Sequence, residues 1–129
     1  MNYYMSKILT ESFESAEEKI IQELKKEGFG IVTELDLQEK FRDKLNIDFR
    51  KYKILGACNP EYAYKALNIE DKVGVMLPCN VVIQELKFGK IEVAIVNPIA
   101  SMSGIVNSKL IEFAGEIQQK LKSIIDHLS

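Results

Sequence analysis

The chain has 129 residues, of which 47% are hydrophobic and 28% charged, the size and composition of one packed domain rather than of a disordered or fibrous chain. Its 17 Lys and Arg stand against 19 Asp and Glu, a formal charge of -2 with both signs interleaved, so the clustered basic face of a nucleic-acid binder is absent from the pattern. No apolar run approaches the roughly 18 to 20 residues of a bilayer span and Met1-Asn2-Tyr3-Tyr4 has no leader-like character, which predicts a cytoplasmic chain whose two cysteines stay reduced.

Residues Tyr3–Leu9 read as a first strand, rich in aromatic and β-branched positions and ended by Thr10-Glu11-Ser12. A helix follows, with Ser12 or Ser15 as cap, Glu17 and Glu18 in its first turn, and Phe13, Ile20, Ile21 and Leu24 at helical spacing up to Gly28. Ile31–Asp36 is the second strand. Leu37–Leu45 has Leu37, Phe41 and Leu45 on one face of a short amphipathic helix that Asn46 ends. Tyr52–Ala57 is the third strand, and Asn59 as cap with Pro60 at the first helical position predicts a helix over Pro60–Leu67.

The apolar run Val73–Leu77 reads as a fourth strand interrupted by Pro78, which cannot donate to a sheet ladder. It resumes as Asn80–Leu86, turns at Phe88-Gly89 and returns as Ile91–Val96, a hairpin. Residues Asn97–Asn107 are a loop or an irregular helical turn. The final helix is the clearest, with Leu110, Phe113, Ala114, Ile117, Leu121, Ile124, Ile125 and Leu128 at steps of three and four. Early helices and a late hairpin predict an α+β fold, a largely antiparallel sheet backed by helices on one face, with a long C-terminal helix. Val73–Leu77 and Val93–Val96 are apolar on both sides, which predicts that a second subunit covers the other face in a homodimer.

The chemistry-bearing residues are sparse. Both cysteines are followed by asparagine, in Cys58-Asn59-Pro60 and in Pro78-Cys79-Asn80. Cys58 precedes a helix N-terminus, where unpaired backbone N–H groups favour a thiolate or an anion; it can equally be a small hydrophobe between strand and helix. Cys79 lies 21 positions later, and adjacent strands would bring the thiols together as a redox pair or as two soft ligands for zinc or copper. There is no Cys-x-x-Cys, and the single histidine is His127 in the last helical turn, so a full zinc site within one subunit is not expected, with Asp36 or a second subunit as the remaining donors. Asn59 and Asn80 can bond a ligand, although Asn59 is also a cap. Glu34 and Asp36 share one side of a strand, as an acid–base pair or as a solvated face.

Ile54-Leu55-Gly56-Ala57-Cys58-Asn59-Pro60, Ala63, Ala66-Leu67, Gly74 and Leu77-Pro78-Cys79-Asn80-Val81 resemble a bacterial and archaeal family catalogued as domain of unknown function 302. Gly28-Phe29-Gly30-Ile31, Glu34-Leu35-Asp36 and Lys44-Leu45 resemble its N-terminal half, so the likeness covers nearly the whole chain. Asn97-Pro98 departs from it, since an Asp-Pro is expected there, and this removes a carboxylate from that point. The resemblance implies a helix-backed antiparallel sheet and a homodimer, and its matching positions converge on Cys58, Asn59, Pro60, Pro78, Cys79 and Asn80 with Asp36 as a neighbour. It implies no reaction and no cofactor. The expected protein is a cytoplasmic homodimeric binding module taking a small molecule or soft metal between the two Cys-Asn motifs, with a thiol enzyme using Cys58, or an inert structural dimer, as alternatives.

Overall fold

The computed structural model describes residues 2–129. Strand β1 (Tyr4–Leu9) leads to helix α1 (Phe13–Lys26), β2 (Gly30–Asp36), α2 (Leu37–Leu45), β3 (Tyr52–Cys58) and α3 (Pro60–Ile69). A 3-10 helix (Asp71–Met76) precedes the hairpin of β4 (Cys79–Glu85) and β5 (Ile91–Val96), and α4 (Pro98–Ser101) and α5 (Ser108–Asp126) complete the chain. The strands form one sheet in the order β1-β5-β4-β3-β2, antiparallel at every pairing. The fold is α+β, as the alternation of strands and helices predicts.

Local chemistry places each element. Ser12 caps α1 by accepting from the Ser15 amide at 3.1 Å, and Phe13, Ala16, Ile20 and Leu24 fall on its buried stripe. Gly28 then turns the chain at φ 85°, a left-handed conformation that costs a side-chain-bearing residue about 1 kcal/mol. In α5, Leu110, Ala114, Ile117, Leu121, Ile124 and Ile125 pack with α1 onto the sheet side where Leu55, Val81, Ile83, Val93 and Ile95 are buried. Each such side chain removed from water contributes about 1.5 to 3 kcal/mol. Among the described residues neither α1 nor α5 packs on the other sheet face, and there Tyr4, Tyr52, Ile54, Val82, Ala94 and Val96 are only half-buried.

One element differs from its sequence expectation. Val73–Leu77 is not a strand; Asp71–Met76 winds as a 3-10 helix with Val73 buried and Val75 81% exposed. The ladder to β3 begins at Cys79, immediately after Pro78, so the proline occupies no donor position and the apolar run before it has no strand to pair with. Residues 97–107 hold the short helix α4 and a turn.

Candidate functional site

The two Cys-Asn motifs meet at one end of the sheet. Ala57 and Cys79 are opposed in the antiparallel pairing of β3 and β4, and Cys58 is the next residue. With consecutive Cα atoms 3.8 Å apart and opposed ones about 4.5 to 5.5 Å apart, the two cysteine Cα atoms lie within about 10 Å. Both cysteines, with Phe29, Tyr62, Leu77 and Pro78, line a cavity of about 30 Å³, the space of one or two waters. Cys79 is buried, and that burial, followed by the neighbouring Cys58 thiol, pushes it up to about 11. Cys58 is half-exposed at the end of β3.

Asn59 is a connector. Its Oδ1 accepts from the Glu61 and Tyr62 amides at 3.1 and 3.3 Å, capping α3, while its Nδ2 donates to the Glu27 carbonyl at 3.2 Å and so ties α3 to the end of α1. Asn97 and Asn107 repeat the device: each caps a helix, and their amides donate to the Asn2 and Ile69 carbonyls. Asp-Pro at position 97 would keep the cap and lose the donor. Asn80, one residue beyond buried Cys79, projects to the opposite, helix-free face. Asp36 is not their neighbour: it opposes Lys53, whereas Gly30 at the far end of β2 opposes Cys58, a separation of roughly 20 Å at 3.3 Å per residue. There it caps α2 by accepting from the Glu39 amide at 3.1 Å.

Beside it, Lys53 donates to Glu17 at 3.0 Å and pairs with Glu34 at 2.8 Å. Burial works against its charge, but the bonds from Glu34 and Glu17 outweigh this and hold its pKa above the usual lysine value. Glu34 is therefore held by a cation. Among the described residues no group of three or more His, Cys, Asp and Glu is gathered as a metal site.

On the helix-free face sequence reasoning singled out Asn80 and missed its neighbours. A shallow concavity of about 440 Å³ is lined by Tyr3, Tyr4, Tyr52, Asn80, Gln84, Glu92 and the apolar Val82, Ala94 and Val96. Across its floor Arg50 Nε donates to Gln84 Oε1 at 3.0 Å, and Gln84 Nε2 donates to Glu92 Oε1 at 2.8 Å. The Arg50 guanidinium rests 4.4 Å from the Phe49 ring centre and 5.5 Å from that of Tyr52. Alternation was the available signal, since Asn80, Val82 and Gln84 share one side of a strand.

Fold and site define an α+β protein in which helices back one face of an antiparallel sheet and the other face opens over a polar-aromatic concavity. The chain belongs to the family described as Domain of unknown function DUF302, whose model matches residues 5–128. It is similar, at 27% identity and TM-score 0.91, to the crystal structure of an uncharacterized conserved protein DUF302 from Bacillus stearothermophilus, with 98% of each chain covered. No curated protein matches it.

Proposed function

We propose that the protein is a cytoplasmic homodimeric binding module that holds a small molecule in the concavity of its open sheet face, beneath a second subunit. The contrast in space carries the proposal: about 440 Å³ on the open face against about 30 Å³ between the cysteines. Ligand sites usually need several hundred Å³ of apolar and aromatic wall with a few placed polar groups. Three tyrosines, the Asn80 amide and the Glu92 carboxylate provide such a wall. Of the residues singled out by sequence, Asn80 is the one that contacts the ligand, while Cys58, Asn59 and Cys79 hold the frame behind it. A soft metal between the thiols is disfavoured, because among the described residues no third His, Cys, Asp or Glu is gathered with them.

Half-exposure of Cys58 beside the start of α3 supports a second reading, a thiol-dependent activity at that residue. Native mass spectrometry of protein from its own host, with light scattering at micromolar concentration, tests the main proposal. The expected result is twice the chain mass with a small mass released on denaturation. A monomer that carries nothing overturns it.

A further inference from the structure

We infer that the second copy lies on the open face with its two-fold axis running along β4, so that β5 of one subunit covers β3 of its partner. This rests on the dimer proposed above and adds its geometry. β4 is the middle strand of five, and an axis along it gives the greatest overlap of two such faces. At about 4.8 Å between strands and 3.3 Å per residue, each face measures roughly 24 by 20 Å before side chains add area, near the lower limit for a stable homodimer.

The rows of the face are complementary under that axis. In the middle row Ser6 and Ala94 lie on one side of Val82, and Ile54 and Leu35 on the other. The axis sets small against large at both positions. In the next row the sizes invert: Tyr4 and Val96 lie on the β5 side, and Thr33 and Gly56 on the β3 side. In the third row the charges do the same. Gln84 sits on the axis between Glu92 on β5 and Tyr52 on β3. Arg50, two residues before Tyr52, lays its guanidinium over the Tyr52 ring and bonds Gln84 from that side, so it reaches toward the partner's Glu92. A two-fold interface requires such self-complementarity, and like charges at positions 50 and 92 would be repulsive twice over.

Two variants, Arg50→Glu and Glu92→Arg, test this by light scattering alone and by native mass spectrometry when mixed, with circular dichroism confirming that each is folded. Each variant alone places like charges opposite one another and is expected to weaken its homodimer roughly tenfold or more. Mixed, they restore opposite charges at both crossings of positions 50 and 92, because one subunit is acidic at both positions and the other basic at both. The heterodimer is then expected to exceed its random share by a similar factor. The internal Arg50–Gln84–Glu92 chain stays broken in both partners, so it cannot produce that rescue. If the parent is a dimer but the variants mix at random, the proposed axis is wrong and the dimer stands. If the parent is a monomer, both fall.

Discussion

Cys58-Asn59 and Cys79-Asn80 are the same dipeptide at the same end of neighbouring strands, yet the chain passes through them in opposite senses. At the first it leaves the sheet, and Asn59 becomes the cap of α3 with its spare amide donating to Glu27. At the second it enters the sheet, so Cys79 points into the core and Asn80 points away from it. A side chain's role follows its phase within the element, and identical residues on adjacent strands divide into a connector and a surface group. Gly56, opposite Asn80, marks the same crowding: a Cβ built there would lie 2.6 Å from the Pro78 ring and against the Thr33 hydroxyl.

The largest expected difference is in reactivity. Native protein treated with iodoacetamide should lose Cys58 to alkylation while Cys79 waits for opening of the core, a step of at least about 4 kcal/mol or a rate ratio near 10³. Equal labelling by peptide mass would mean that the two thiols share one environment. Stability separates the asparagines next. Asn59→Ala removes a cap and leaves the Glu27 carbonyl without its donor, an expected loss of about 2 to 3 kcal/mol in urea unfolding. Asn80→Ala should fall within about 0.5 kcal/mol. Similar losses at both sites would erase the distinction between connector and surface group.

How much of this was legible depended on whether the signal was local. Caps, the Phe88-Gly89 turn and the periodicity of α5 are local, and the α+β architecture followed from them. Val73–Leu77 was misleading because a short apolar run suits a strand or a single helical turn, and only the ladder starting at Cys79 decides between them. Asp36 joined the cysteines by resemblance, but antiparallel pairing of β2 with β3 sends it to the far end of the sheet. The Gln84–Glu92 bond was readable in principle: the two residues are equidistant from Phe88, so the hairpin opposes them. Arg50 was not, because its reach across β3 depends on stacking against Phe49 and Tyr52.

The difference between buried and half-exposed thiol also has a pH signature. The folded pKa of Cys79 is raised to about 11, above the unfolded value, so its contribution to stability is whole below the unfolded pKa and declines as pH rises toward the folded one. With an unfolded thiol near 8.5 to 9, stability should fall by about 2 kcal/mol between pH 8 and pH 10.5 on this account. Lysines and tyrosines titrate in the same window, so the measurement is the difference between the parent and Cys79→Ala in urea unfolding. A difference that does not change with pH would overturn the assignment of Cys79 as the buried, raised thiol.

The smallest effect isolates the spare amide of Asn59 from its cap. Asn59→Asp keeps an oxygen for the Glu61 and Tyr62 amides, and its charge suits the start of α3, worth about 0.3 to 1 kcal/mol. It has no donor for the Glu27 carbonyl, 3.2 Å from the present Nδ2, and sets a carboxylate oxygen against it. The net expected loss is about 1 kcal/mol at neutral pH, smaller than for Asn59→Ala. Acid should reduce it, since the introduced carboxyl, once protonated, recovers an O–H that can donate to Glu27. If Asn59→Asp is neutral throughout, the tie to α1 contributes nothing and Asn59 is a cap alone.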